Sequence, residues 1–419
     1  MPLERVPGDP QTALSLLESR AVKRVASRAL AVTVLMATSC VSPIALEPAL
    51  LAYDRTVTRI QTQMMLINVG RAHANLPLHW TEVSSIAATF TFKVDEGVNL
   101  ELTPAGEVPV GNLNASISAS AAESPTIAII PMQGEEFTKR ILTPLDESLL
   151  GFLLWQGADV GLILRMIGQG LYVAKDGGPP VFFGNDPEHA EQYTEFRRRV
   201  QHLQWLQHSA ALQVTRLRPR DEWPVRIEGL AGRDIARVLE PGFHFERKGD
   251  SSVIWRRVNG RVVITNYDPR HLSDEDVIEL DERARGYPPD FVLVDIRKDA
   301  PGGDYGFTGW LKLRSFRAVI DFVARGIDDH YETAVAKDPR TPDPGYDPVR
   351  TLELVQLDHA PKDALFTAEL LDRTIALRRG PDERAARWNG SGFDTLMQLY
   401  HMTTSNVPRL PGPIIAIAK

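Results

Sequence analysis

The chain has 419 residues, a formal net charge of −7 and a hydrophobic share of 43%, which is typical of a globular protein. This mildly acidic balance argues against nonspecific nucleic-acid binding. Phosphate-loop, G-x-S-x-G and H-E-x-x-H motifs are absent, and with a single cysteine there is no Cys cluster for a metal. We therefore expect no nucleic-acid partner, no cofactor and no metal.

The first notable stretch is "ALAVTVLMATSC", residues 29–40, which ends in the only cysteine of the chain. An uncharged run follows a basic segment, and small residues stand directly before Cys40; the basic residues are Arg20, Lys23, Arg24 and Arg28. Basic, apolar and small regions in this order are typical of a secretory signal. The apolar run is shorter than the roughly 20 residues that span a bilayer.

These residues resemble the lipobox of bacterial lipoproteins, with Ala37 where that family usually has leucine. The resemblance implies that the Cys40 sulfur carries diacylglycerol, that cleavage occurs before Cys40, and that the new amino terminus carries a fatty acid such as palmitate. Val41, which stands in place of the aspartate that retains lipoproteins in the inner membrane, implies the outer membrane and its periplasmic face. The alternative is that Cys40 is a buried core residue, because cysteine is among the most buried residue types.

Composition and turn residues suggest four segments. Residues 1–39 are expected to be a signal peptide with a long N-terminal region, and residues 40–49 a lipidated tether. Residues 50–235 and 245–419 are expected to form two domains, since the remaining length fits two by the usual size range. Helical and strand patterns mix without regular alternation, which predicts the α+β class with antiparallel strands.

The N-terminal half contains a predicted helix and a predicted β-hairpin. Apolar residues recur every three or four positions over residues 50–67, which predicts a helix, and Gly70 is expected to end it. Apolar and polar residues alternate within 86–131, which predicts a protruding hairpin. Its small side chains offer little apolar area, so its unpaired edges could pair between subunits and build a ring. The alternative is a hairpin that lies on its own domain.

Two stretches in this half resemble a group of functionally uncharacterised proteobacterial lipoproteins. They are "QTQMMLINVGRAHANLPLHWTEVSSI" (61–86) and "SPTIAIIPMQGEEFTKRILTP" (124–144). The likeness covers about residues 50–160 and the anchor. It implies location and architecture but no chemistry.

Further along the chain, residues 134–157 predict two helices with a break at Thr143-Pro144, and residues 195–217 predict another helix. Asn259-Gly260 between two β-rich runs predicts a hairpin. "FVLVDI" predicts a buried strand and "SFRAVIDFVARG" a helix, while three prolines predict a loop over 337–347. "PIIAIA" (413–418) predicts a final strand.

The strongest candidate for chemistry is "DIRKDAPGGDYG", which follows the predicted buried strand. It brings Asp295, Asp299 and Asp304 together around two glycines. Carboxylates placed in this way could hold a hard cation or act as acid and base. A plain turn uses the same residue types, so the sequence assigns no catalytic residue.

The sequence thus favours a non-enzymatic outer-membrane lipoprotein that acts as a scaffold or binding component of the cell envelope. Its expected partners are the membrane, through the anchor, and a second copy or another envelope protein. The alternatives are a ring or pore component built on hairpin 86–131 and an envelope hydrolase that uses the Asp295 loop.

Overall fold

The computed structural model describes residues 51–97, 116–175, 177–225, 242–248 and 251–404. Backbone contacts divide the chain into Met1–Gln61 and Thr62–Lys419. In the first unit, the described residues 51–61 are helical. The predicted signal peptide, the tether with Cys40 and the final strand 413–418 all lie outside the described residues.

The second unit contains eight described α-helices. They are α1 (residues 62–73), α2 (Glu135–Leu142), α3 (Glu147–Trp155), α4 (Val160–Ile167), α5 (Ala190–His208), α6 (Asp274–Arg285), α7 (Phe316–Arg325) and α8 (Glu383–Thr404). Four of them begin at a side chain that accepts a hydrogen bond from the first turn, namely Asp146, Asp159, Ser273 and Ser315. These residue types fix where a helix starts, because they satisfy amide groups that the helix leaves unbonded.

A six-stranded sheet lies at the centre of the unit, in the order β4-β3-β11-β10-β9-β5. Its strands are β3 (Gly168–Lys175), β4 (Gly178–Gly184), β5 (Gln213–Arg216), β9 (Val262–Thr265), β10 (Phe291–Ile296) and β11 (Phe307–Leu313). All neighbours are antiparallel except β9 and β10, which are parallel and are connected through α6. Helices beside mostly antiparallel sheets confirm the predicted α+β class.

This sheet takes strands from both of the domains expected from the sequence. Strands β3, β4 and β5 precede residues 236–244, whereas β9, β10 and β11 follow them. The boundary expected there does not separate two cores, because β5 bonds directly to β9 from Gln213 to Arg216. Pairing between strands that are far apart in the sequence cannot be detected from local composition, on which the expected boundary is based.

The central strands are apolar on both faces, because helices cover each side. Ile264, Val292 and Val294 belong to the main core, whereas Val263 and Leu293 pack with Val277, Leu280 and Ala284 of α6. Continuous apolar runs are typical of strands buried on both faces. Asp295 is two residues after Leu293 on the same strand, so its side chain points to the same face of the sheet, the one that α6 covers.

The remaining described strands form three small sheets. Strands β6 (Arg220–Val225), β7 (Phe243–Lys248) and β8 (Ser251–Arg257) form one, and β12 (Leu354–Leu357), β13 (Ala364–Leu370) and β14 (Arg373–Arg378) form another. Strands β1 (Trp80–Gly97) and β2 (Ser116–Met132) pair antiparallel in a two-stranded sheet of their own. At its base, the buried Trp80 ring stacks on Tyr400 at 4.7 Å.

Two turn predictions are wrong. The strands beside Asn259-Gly260 belong to different sheets, because β8 pairs with β6 and β7 while β9 pairs with β10 and β5. A Cβ at Gly260 would lie 2.4 Å from an Asp281 oxygen, so this glycine permits close packing. Gly70 does not end its helix, which continues to residue 73; a Cβ there would lie 2.8 Å from Ile375.

Residues 326–353 have no helix or strand, yet buried polar side chains hold them against α4 and α5. The buried Arg165 of α4 donates to the main-chain carbonyls of Pro348 and Val349 at 2.7 and 2.8 Å. Its other bonds reach three side chains at 3.2 Å, namely Thr351, Asp347 and Glu332. All five guanidinium N–H groups thus have an acceptor.

Helix α5 also bonds to Tyr346 and Asp347 of the same segment. Arg197 and Gln201 donate to the two carboxylate oxygens of Asp347 at 2.8 and 2.7 Å, and Gln204 donates to the Tyr346 carbonyl at 2.9 Å. We define these residues, Arg165, Arg197, Gln201, Gln204, Glu332 and Asp347, as the Arg165 network. Because a buried polar group without a partner costs about 1–3 kcal/mol, each member depends on the others.

We expect Arg165→Met to destabilise the fold by about 3–5 kcal/mol, since the change leaves Glu332 without its buried cation. The matched control is Arg317→Met on α7, whose ion pair with Asp321 is partly exposed and should contribute about 0–1 kcal/mol. Urea unfolding of the full chain measures both. Equal losses in the two variants would contradict the role assigned to the network.

Candidate functional site

Asp295, the first of the three predicted acidic residues, is the penultimate residue of β10 and is buried. Its carboxylate accepts hydrogen bonds from the Tyr267 hydroxyl at 2.8 Å, from the Thr308 hydroxyl at 2.7 Å and from Arg297 Nε at 3.1 Å. Arg283 of α6 adds a longer contact of 3.4 Å. Both oxygens of Asp295 therefore already have donors.

These partners keep Asp295 ionised. Burial raises the pKa of the carboxyl group, but the hydrogen bonds from Thr308 and Tyr267 and the charge of Arg283 outweigh it, so the net shift is downward. Burial and the neighbouring Asp295 charge raise the pKa of the Tyr267 hydroxyl. A carboxylate with low pKa and occupied lone pairs is a poor general base, because a base needs a pKa near the working pH.

The other two predicted residues, Asp299 and Asp304, are exposed on the loop that follows Asp295. Asn266 holds this loop through its side-chain amide, which donates to the carbonyls of Arg297 and Pro301 at 2.8 and 2.9 Å. Within the described residues, no group of three His, Cys, Asp or Glu side chains could hold a metal ion. The three aspartates therefore do not form a cation site there.

His202 of α5, which no sequence motif marks, joins this loop to the irregular segment. Its Nε2 lies 2.9 Å from the Gly302 carbonyl and its Nδ1 lies 3.0 Å from the Thr341 hydroxyl. A carbonyl can only accept, so Nε2 carries the proton and Nδ1 accepts from Thr341. Burial lowers the pKa of His202, and the bond to Gly302 offsets only part of this effect. The imidazole is a neutral crosslink between two loops.

A cleft of about 730 Å³ lies on the α6 side of β5, and four arginine side chains line it. We call it the arginine cleft; its walls contain Arg216, Arg218, Arg257 and Arg270, together with Asp274, Thr215, Trp155, Leu217, Pro269, Leu272 and Val277. Its size lies in the usual range for ligand pockets. Its walls combine cationic groups with apolar side chains.

Separate elements position the four arginines. Arg216 of β5 donates to the Ser148 hydroxyl at 2.8 Å and to the Gly260 carbonyl at 3.2 Å. Arg257 of β8 pairs with Asp274 at 2.7 Å, while Arg270 pairs with Asp268 at the same distance. Arg218 is exposed, and no side-chain bond links it to any residue that the structure describes.

The wall of the arginine cleft therefore carries four positive charges and one negative charge. The first turn of α6 also lines it with Asp274 and Val277, and the N-terminal end of a helix dipole favours anions. The guanidinium group of arginine can donate two parallel hydrogen bonds to a carboxylate or phosphate group. Trp155 and Leu272 of the wall provide apolar contact. The arrangement is suited to an anion that also has an apolar part.

Sequence reasoning missed this cleft, because its residues are distributed from position 155 to position 277. A local signal exists in "TRLRPR", residues 215–220, where arginines alternate with other residues from the end of β5 to the start of β6. On its own that signal indicates only a basic strand. Arg257 joins it because β8 pairs with β6, and Arg270 joins it because it follows β9, which pairs with β5.

No protein-family model, no curated protein and no solved structure matches this chain.

We expect the stability of the fold to fall as the pH drops below about 6.5, in part because of His202. The unfolded imidazole takes up a proton near that pH, whereas the folded one does so only at lower pH, so the unfolded state binds more protons. His202→Gln keeps a donor for Gly302 but cannot titrate. Urea midpoints at about pH 7 and about pH 5 should differ less in this variant than in the wild type. An identical pH difference in both proteins would count against the neutral crosslink.

Proposed function

We propose that this protein is a lipid-anchored, non-enzymatic component of the outer membrane that faces the periplasm and binds an anionic ligand in the arginine cleft. The observation that carries the binding role is the cleft wall, which contains four arginines and one aspartate. Asp274, Asp268 and Glu147 pair with Arg257, Arg270 and Arg216, whereas Arg218 has no side-chain partner among the described residues. The apolar side chains between them support an amphiphilic anion, with carboxylate or phosphate chemistry at one end. The protein then acts as a binding or scaffold component of the cell envelope.

The location is supported by the sequence around Cys40. Basic residues, a short apolar run and small residues lead to that cysteine in the order of a lipoprotein signal. Two acyl chains anchor a protein stably, whereas one chain binds only marginally. Among the residues that the structure describes, no helix has the length and apolar character needed to cross a membrane.

Binding is favoured over hydrolysis by the state of Asp295. Its oxygens accept bonds from Tyr267, Thr308 and Arg297, so neither is free to activate water. Asp299 and Asp304 are exposed, and within the described residues they do not form a metal-binding cluster with Asp295. The loop therefore supports a structural function better than a hydrolytic one.

The anchor is tested with Cys40→Ala in cells fed a palmitate analogue. We expect wild-type protein to be labelled and to sediment with outer membranes, and the variant to be unlabelled, because the acceptor sulfur is lost. Mass spectrometry of the purified wild type should find residue 40 as the modified amino terminus. Equal labelling of both forms, or an intact Met1 in the wild type, would refute the anchor and favour a buried Cys40.

The cleft is tested by calorimetric titration of the full-length protein in detergent with naphthalene-1-sulfonate, after subtraction of a detergent blank. This probe combines an apolar ring with an anionic group. We expect Arg218→Glu to weaken binding about tenfold, since it removes one attraction and adds one repulsion. Binding should also weaken with added salt, because the arginine side chains at the rim are screened.

The matched control is Arg387→Glu, which reverses the charge of another exposed arginine on α8, outside the cleft wall. It should bind the probe as the wild type does. Neutral 1-naphthol should bind less tightly than the sulfonate. Equal weakening in both charge-reversal variants, or no saturable binding by the wild type, would exclude the arginine cleft as the ligand site.

A further inference from the structure

A second pocket, of about 570 Å³, lies where β4 and β11 meet residues of α2, α5 and α7. Arg314, directly after β11, lies in its wall, and we call it the Arg314 pocket. Its other polar wall residues are Gln169, Asn185, Asp186, His189, Gln192, Lys312, Ser315, Asp321 and Arg325. It shares no wall residue with the arginine cleft.

Arg314 is a buried cation that has no carboxylate partner among the described residues. Its hydrogen bonds go to three main-chain carbonyls, those of Arg165 at 3.2 Å, Met166 at 3.0 Å and Asn185 at 2.6 Å. Its guanidinium also lies 3.9 Å from the centre of the Phe322 ring. Carbonyl dipoles and a ring face satisfy donors but leave the net charge uncompensated. Burial accordingly lowers the pKa of Arg314 to about 10.

The other charges in the wall do not neutralise Arg314. Asp321 is engaged by Arg317, which binds both of its oxygens at 2.9 and 3.0 Å. Asp186 lies 3.3 Å from His189 and 3.9 Å from Arg325. Lys312 forms no ion pair within the described part of the chain and lies beside the Phe291 ring at 5.7 Å. Neither Arg314 nor Lys312 therefore forms an ion pair with a described residue. The charges of Glu332 and Asp186 raise the pKa of Arg314, but by less than burial lowers it.

The wall also offers hydrogen-bond acceptors. The amide side chains of Gln169 and Gln192 are exposed, and the carboxylate of Asp186 is only partly buried. A ligand that supplied only an anionic group would leave the two exposed amide oxygens to water. A hydroxyl or amino group on the same molecule would satisfy them.

We propose that the Arg314 pocket binds a small carboxylate that also carries a hydroxyl or amino group. The carboxylate lies against Arg314 and Lys312, because a guanidinium fork with spare donors matches two carboxylate oxygens. The hydroxyl or amino group donates to the amide and carboxylate oxygens of the wall. This site does not depend on the proposed function, since no residue is common to the two pockets.

The test is calorimetric titration of the full-length protein in detergent with malate, succinate and inorganic phosphate, at constant ionic strength. Malate and succinate differ by one hydroxyl group, so their comparison tests whether that hydroxyl contributes to binding. We expect malate to bind with saturation and more tightly than succinate or phosphate. Lys312→Gln should weaken malate binding on the order of tenfold, because it removes one of the two uncompensated cations.

Two controls separate this site from general charge effects. Arg387→Gln removes an exposed cation on α8 that lines neither pocket, and Arg218→Glu alters only the arginine cleft. Both should bind malate as the wild type does. Tighter binding of phosphate, equal binding of succinate, loss in either control, or no saturable malate binding would each overturn the proposal. Unchanged unfolding midpoints for Lys312→Gln exclude loss of fold as the cause.

Discussion

The fold depends on one buried guanidinium, that of Arg165. Residues 326–353 have no helix or strand of their own, and such a long irregular segment cannot satisfy its own backbone. Arg165 supplies five N–H donors in a fixed plane, and two of its bonds reach main-chain carbonyls of that segment. Glu332 and Asp347 balance its charge, so that the cation is buried together with its counter-ions. The segment in turn covers α5, which packs on the central sheet.

The sequence predicts those elements whose signal is local. "FVLVDI" reads as a buried strand because every residue but one is apolar, and α7 reads as a helix because its apolar residues recur on one face. The stop at Thr143-Pro144 is found as expected, since α2 ends at Leu142. The helix expected over 195–217 ends earlier, at His208, because its last residues pair as β5 with β9.

The rest depends on contacts between distant residues. Asn259-Gly260 has the local pattern of a hairpin turn, yet β9 gains more from pairing with β10 and β5 inside the core than from pairing with β8 at the surface. Asp295 is recognisable as a carboxylate at a strand end. Its function in the fold depends on Tyr267, Thr308 and Arg283, which only the βαβ crossover and the following strand bring to it. The arginine cleft is assembled in the same way and has no linear motif.

The two buried arginines, Arg165 and Arg314, show how the same residue type can have two roles. A hydrogen bond links them directly, because Arg314 Nη1 donates to the main-chain carbonyl of Arg165. The side-chain amide of Asn185 donates to the same carbonyl. Arg314 and the Asn185 amide therefore stabilise the C-terminal end of α4, where helix carbonyls need donors. Arg165 is neutralised by two acids, whereas Arg314 meets only carbonyl dipoles and a ring face. A compensated buried charge needs no ligand. An uncompensated one beside an open pocket keeps a positive potential there, and that potential is the physical reason why an anion would bind at Arg314.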